Sequence, residues 1–291
     1  MLKRINWKAV LYGFLWVISL GGLVTLMGFI EIKKAEIECK DVKVIIPEIE
    51  GFIERADIDE MLLKNSGSLI GRNLHKIDIH AIEKMLRANP YIEDAKVYAD
   101  MQGVINIKIR QRVPVVRIIN YTNQDFYIDK KGLKMPVSSN FTAHVLVANG
   151  FVLEPFSGKV DTLRTKLAED LFRTAVFVEA DTLWREQVEQ LYVNTEGEIE
   201  IVPRVGNHKI ILGSADSLEI KFENLLAFYK KALPAVGWDA YKTINIKYTN
   251  QVVCVKNVID SSVVAPVPAP VKTISPDTLN KIQDTVKTVT R

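Results

Sequence analysis

The chain lacks the short signatures by which catalysis is most often read. It contains no GxSxG, no phosphate-binding P-loop, no GxGxxG and no HExxH. Histidine is scarce: there are four, His75, His80, His144 and His208. His75 and His80 stand five apart, a poor spacing for sharing one helical face, so the four read as ordinary surface histidines rather than ligands. The two cysteines, Cys39 and Cys254, are far apart, with no CxxC and no Cys/His cluster. An extracytoplasmic location would permit a disulfide, but the pair reads better as two isolated small apolar residues. Asp125 and Asp129 flank Phe-Tyr-Ile and imitate an acidic site; a strand running into a turn explains them better. Ser66, Ser68 and Ser157 sit beside glycine in evident loops. Neither an enzyme nor a metal or cofactor site is expected, and no small-molecule substrate.

A basic binding surface is also missing. The chain has 38 Lys+Arg against 35 Asp+Glu. Lys3, Arg4 and Lys8 account for the whole excess, since no acid precedes them, and the rest of the chain is balanced. The sequence pI of about 8.6 therefore comes from the first residues, and nucleic-acid binding loses its electrostatic footing.

One long apolar run is present. No charged residue falls between Lys8 and Glu31. As a helix, Val10–Ile30 would be roughly 30 Å long at ~1.5 Å per residue, the thickness of a bilayer's hydrocarbon core. Its glycines, Gly13, Gly21, Gly22 and Gly28, suit a membrane span better than a soluble helix, and Trp7 and Tyr12 suit an interfacial belt. The run is too long for a signal peptide and no Ala-x-Ala follows it. A buried core helix would seldom run so far without a polar face. The expectation is a single-pass anchor at 10–30 with a cytoplasmic tail at 1–9, because Lys3, Arg4 and Lys8 mark the inside. Everything after about residue 30 then lies outside, on the periplasmic side of the cytoplasmic membrane.

Residues 39–112 read as a compact unit. Val42–Pro47 is a strand candidate. Asp57 is placed to cap a helix with Glu60 three residues on, and Gly67 and Gly71 end it. A second helix starts near Asp78 and stops at Asn89-Pro90. Ala95, Val97 and Ala99 alternate with Lys96 and Tyr98; Ile105, Ile107 and Ile109 alternate with Asn106, Lys108 and Arg110. That is a hairpin with one buried face, turning at Asp100–Gly103. The order is strand, helix, helix, strand, strand.

Residues 113–258 read as a larger mixed domain with an antiparallel sheet, making the fold class α+β. Strand candidates are Val115–Tyr121, Phe126–Asp129, Val145–Val147, Val188–Asn194, Glu198–Val202, Lys209–Leu212, Lys242–Tyr248 and Gln251–Lys256. Asp161–Val178 and Ser217–Leu233 are the helical stretches, with Ser217 as N-cap. Residues 259–291 carry Pro266, Pro268, Pro270 and Pro276 among Ser, Thr and Val, a composition that reads as disordered.

This layout resembles the FtsQ/DivIB family of bitopic bacterial cell-division proteins. NPYIEDAKVYADMQGVINIKIRQRVPVVRI (Asn89–Ile118) resembles the end of that family's POTRA domain, with Pro90, Ala95 and Val97 in place and Ile92 where the family has its first Val. The family usually has Glu before its x-Pro; here Gln111-Arg112 precedes Val113-Pro114. FYIDKKGLKMP (Phe126–Pro136), ILGSADSLEIKFENLLAF (Ile211–Phe228) and INIKYTNQVVCVK (Ile244–Lys256) resemble the family's later segments. The resemblance implies a non-enzymatic scaffold of the divisome at the septum. It implies an exposed C-terminal edge strand at Gln251, Val252, Val253, Cys254, Val255 and Lys256 that pairs with an FtsB-like bitopic partner. Lys247 and Tyr248, in the place of the family's Arg-Tyr or Lys-Tyr pair, would add a charge contact and an apolar one. The POTRA hairpin edge at Val104–Arg110 is implied to dock other division proteins. Two other readings stand beside this one: a POTRA-containing envelope assembly or secretion adaptor, and a membrane-anchored cell-wall enzyme.

Overall fold

The computed structural model describes residues 7–35, 37–47 and 51–257. The first helix, α1 (Trp7–Ala35), covers the apolar run. Its side chains are described over residues 11–27, and all of these are exposed. Among the described residues no helix is long and apolar enough to cross a membrane, a span needing ~20 apolar residues. The whole 259–291 segment expected to be disordered lies outside the described residues, as does residue 258 before it.

The smaller module follows in the expected order: β1 (Asp41–Ile45), α2 (Arg55–Ser66), a single 3-10 turn at Leu74–Lys76, α3 (Ile79–Arg87), β2 (Ile92–Ala99) and β3 (Val104–Gln111). Asp78 caps α3, its carboxylate accepting the Ala81 N–H at 2.9 Å. The cap of α2 is one turn earlier than expected. Glu54 is the N-cap, and Asp57, at the third helical position, reaches back to accept the Glu54 N–H at 2.8 Å. The capping-box pattern was real but began at Glu54.

The sheet order is β1-β3-β2, with β1 parallel and β2 antiparallel to β3. Ile105, Ile107 and Ile109 are fully buried against α2 and α3 residues such as Ile58, Leu62, Ile82 and Leu86. Burying each isoleucine stabilises the fold by roughly 1.5–3 kcal/mol. The central place of β3 overturns the expectation of a free edge at Val104–Arg110. Both sides of that strand are paired, and the module's edges are β1 and β2. The edge of β2 is partly closed, because Glu83 on α3 accepts the Val97 N–H at 3.2 Å.

The larger module contains β4 (Pro114–Ile119), β5 (Asp125–Asp129), β6 (Leu133–Pro136), β7 (Leu146–Gly150), β8 (Asp161–Thr162), α4 (Lys166–Ala180), α5 (Thr182–Gln187), β9 (Val188–Val193), β10 (Ile199–Pro203), β11 (Lys209–Gly213), α6 (Leu218–Lys231), α7 (Leu233–Val236), β12 (Tyr241–Asn245) and β13 (Val253–Lys256). The strands form one ten-stranded sheet, in the order β13-β12-β11-β10-β9-β7-β4-β5-β6-β8. The sheet is mixed rather than antiparallel: β4/β7, β7/β9 and β11/β12 pair parallel. Parallel neighbours need a crossover, and α6 supplies the one between β11 and β12. The apolar residues of α4, α5 and α6 (Leu171, Ala175, Trp184, Phe222, Leu225) share one core with the strand residues Ile118, Phe126, Leu191, Ile201, Leu212 and Ile244. Ser217 does precede α6, but it has φ +53° and its hydroxyl makes no cap bond.

The two modules share a core. On β5, Phe126 and Ile128 belong to the helix-covered core, while Tyr127, pointing the other way, joins the core of the smaller module together with Met135. Phe52 stacks on Tyr91 at 5.2 Å between ring centres and meets Tyr127 and Phe141 edge-on at 5.6 and 5.0 Å. Arg112 and Asp129 form an ion pair at 2.7 Å, and Lys131 reaches Glu93 at 2.7 Å. The departure at Gln111-Arg112 is therefore built into the junction. Buried Gln111 accepts from the Ile53 N–H at 3.0 Å and donates to the Ile53 carbonyl at 3.3 Å.

Candidate partner-binding edge

The last two strands end one side of the long sheet. β12 carries buried Ile244, with Ile246 just beyond it, and β13 lies next to β12 as the outermost strand. Between them the chain turns at Thr249-Asn250, and Asn224 of α6 donates to the Thr249 carbonyl at 2.8 Å, tying the turn to the helix layer. Along the final segment burial alternates. Val252 and Cys254 pack against the core; Gln251, Val253, Val255 and Lys256 are exposed. Val253 and Val255 keep 44% and 55% of their surface in solvent. Gln251 and Val252 belong to the approach to β13 rather than to the strand.

Lys247 and Tyr248 follow β12 and are both exposed. The turn begins with Asn245, whose side chain accepts the Lys247 N–H at 2.9 Å. The Lys247 ammonium is engaged within the chain, bonded to the Glu198 carboxylate and placed 6.0 Å from the Tyr248 ring centre. Glu198 raises the Lys247 pKa, and the Lys247 bond holds the Glu198 carboxyl below its usual range. The Lys247 stem crosses Gly213, whose φ is +77° and where a Cβ would lie 3.0 Å from the lysine Cγ. A residue expected to await a partner carboxylate thus already has one on β10's approach.

The cysteines are both free, Cys39 buried and Cys254 partly so, and burial pushes both thiols up. Asp125 and Asp129 are ion-paired to Arg117 and Arg112. His75, His80 and His144 are exposed as expected. His208 is not: it is buried just before β11, with Nε2 2.9 Å from the Tyr229 hydroxyl and Trp238 stacked nearby. No sequence signal distinguished it, because its burial comes from α6 and the segment before β12 closing over it. Among the described residues no His, Cys, Asp or Glu cluster is placed to hold a metal.

Among the described residues the chain is a β-α-α-β-β module fused through a shared core to a long mixed sheet that ends at β13. The family description "FtsQ/DivIB, C-terminal related" matches residues 113–255, and the description "POTRA-like domain" matches residues 37–110. The chain belongs to the FtsQ/DivIB family, whose members are scaffolds of cell division. No curated protein matches the chain.

Proposed function

We propose that this protein is a non-enzymatic scaffold of the divisome, held in the cytoplasmic membrane by α1 and acting at the septum through its periplasmic modules. The observation that carries the reading is the bare β13 edge. Val253 and Val255 stand in solvent on a strand whose other side is already paired, so its outer backbone groups are available to a further strand. An FtsB-like bitopic protein supplies that strand. Tyr248 adds apolar area beside it with a polar tip. Lys247 acts by exchanging Glu198 for a partner carboxylate, or by holding the turn that aims Tyr248. The uncharged stretch Val10–Ile30 supports the anchor, and Lys3, Arg4 and Lys8 support a cytoplasmic N-terminus. Anchoring raises the effective concentration of partners confined to the same membrane. The module boundaries follow the sequence: 39–112 as the POTRA domain and 113–258 as the sheet domain.

Deletion of residues 251–291 tests the edge. Capture of the FtsB-like partner is expected to vanish while the remaining protein keeps its membrane association and its far-ultraviolet dichroism. Capture at the full-length level refutes strand addition at β13. Localisation of a fluorescent fusion in dividing cells tests the wider reading; uniform distribution around the envelope contradicts it.

A further inference from the structure

The junction between α1 and the smaller module leaves almost no slack. α1 ends at Ala35, and the Ile37 carbonyl already accepts the Leu74 N–H at 3.0 Å. Two residue steps span at most roughly 7 Å of extended chain. From Ile37 the chain is clasped between two loops. Cys39 donates to the Arg72 carbonyl at 2.8 Å and accepts from the Gly71 N–H at 2.7 Å, while Lys40 donates to the Gly103 carbonyl at 2.8 Å. Gly103 has φ +93°, and a Cβ there would lie 2.5 Å from the Glu38 carbonyl, so the clasp depends on glycine. Two large apolar side chains stand in solvent in the loops around this clasp. Met101, at the tip of the β2–β3 turn, is 81% exposed, and Ile70, on the other loop, is 59% exposed. Ile37, Leu74, Ile79, Ala99 and Met101 line a cleft of about 400 Å³ beside them. Asp100, the acid of that turn, directs its carboxylate to the Gln102 and Val104 N–H groups of the turn itself. Lys40, Lys76 and Arg72 are exposed nearby, with Glu38 and Asp78 the exposed acids among them.

We infer that this face of the smaller module rests on the lipid surface that holds α1, with Met101 and Ile70 dipping into the headgroup layer and the cleft taking up acyl or glycerol groups. The inference rests on the reading that α1 lies in a bilayer. The shortness of the tether selects the occupant: α1 runs five residues past the uncharged stretch that ends at Ile30, roughly 7.5 Å at ~1.5 Å per residue, and two more reach the module, which keeps this surface within reach of the headgroup layer. Exposed apolar tips flanked by lysines match an interface with an apolar interior and anionic headgroups. The consequence is a module seated on the membrane rather than swinging from it.

The methionines make the test self-controlled. The full chain, labelled with 13C at methionine methyls, is placed in nanodiscs of phosphatidylethanolamine and phosphatidylglycerol. Lipids spin-labelled at the headgroup or in mid-chain are compared with unlabelled ones. Met27 of α1 reports on the mid-chain label, and buried Met135 is the reference. Mid-chain broadening of Met27, with headgroup broadening of Met101 several-fold above that of Met135, is the expected result. Broadened Met27 with Met101 no different from Met135 overturns the seating and leaves the anchor intact. An unaffected Met27 overturns both.

Discussion

The two ends of the ten-stranded sheet solve the same problem in opposite ways. At one end β8 is only two residues long and carries no apolar side chain. Behind it Lys134 and Glu154, both fully buried, pair at 2.6 Å. Glu154 also accepts from the Arg164 and Thr165 N–H groups and the Thr165 hydroxyl, and Lys134 donates to the Pro155 carbonyl. The edge is short, polar and pinned from inside. At the other end β13, the outermost strand among the described residues, offers two exposed valines. Edge strands are ordinarily blunted to prevent unwanted pairing. Among the described residues one edge of the sheet is thoroughly blunted and the other carries no comparable device, so the proposed docking strand lies at the end where pairing is least opposed.

Substitutions that break this contrast rank from the buried end outward. Glu154→Ala leaves buried Lys134 with only Asp161, at 4.0 Å, as a counter-charge and several donors without an acceptor, and is expected to lower stability by about 3 kcal/mol in urea unfolding. Burial raises the Glu154 pKa, but the bonds from Lys134, Thr165 and Arg164 outweigh it and hold the carboxyl below its ordinary 4.5. Its contribution is thus complete above 4.5 and is lost as pH falls through the depressed value. Arg112→Ala strands the buried Asp129 carboxylate at the module junction, with an expected loss of about 3 kcal/mol. Its mark is earlier hydrogen exchange at Tyr91 and Tyr127 than at Leu191.

Val253→Pro changes the open end instead. It removes one backbone donor from a strand that carries little of the core, so unfolding midpoints should move little. Partner capture should weaken about tenfold or more, equivalent to roughly 1.4 kcal/mol, in a pull-down titration. A smaller, pH-dependent effect is expected at His208, whose pKa burial pushes below its ordinary 6.5. The unfolded chain therefore binds more protons, and His208 lowers stability as pH falls through and below 6.5. Tyr229, Trp238 and Asp239 are the groups around it. His208→Phe should flatten thermal stability between pH 7 and pH 5; an unchanged slope would place that pH dependence elsewhere.

Much of the fold was legible because periodicity and capping are local. The isoleucines of β3, the Asp78 cap and Gly67 at the end of α2 each announce themselves within a few residues. What the sequence concealed depends on distant partners. β6 was missed because Lys134 looks like a surface residue until Glu154, twenty positions on, meets it. The free edge expected at Val104–Arg110 failed because nothing in a hairpin's pattern says that β1 will return to its other side. Parallel pairing at β4/β7 and β11/β12 is similarly invisible in alternation alone. At the candidate site the placement of β13 followed from its position as the last strand, but the bond from Lys247 to Glu198 joins residues whose proximity only the folded sheet reveals.

The shared aromatic core around Phe52, Tyr91 and Tyr127 has a bearing on how such a protein can change over time. Tyr127 sits between Phe126 and Ile128 on one strand, so that strand answers to two interiors at once. A drift in side-chain volume at Phe52 or Phe141 must be matched on β5, which in turn is constrained by the helices on its far side. The halves are not exchangeable parts. Cutting between Arg112 and Val113 would leave an apolar scar on each piece, and a POTRA-like module borrowed from a relative would have to bring a compatible neighbour for Tyr127 and Met135 with it.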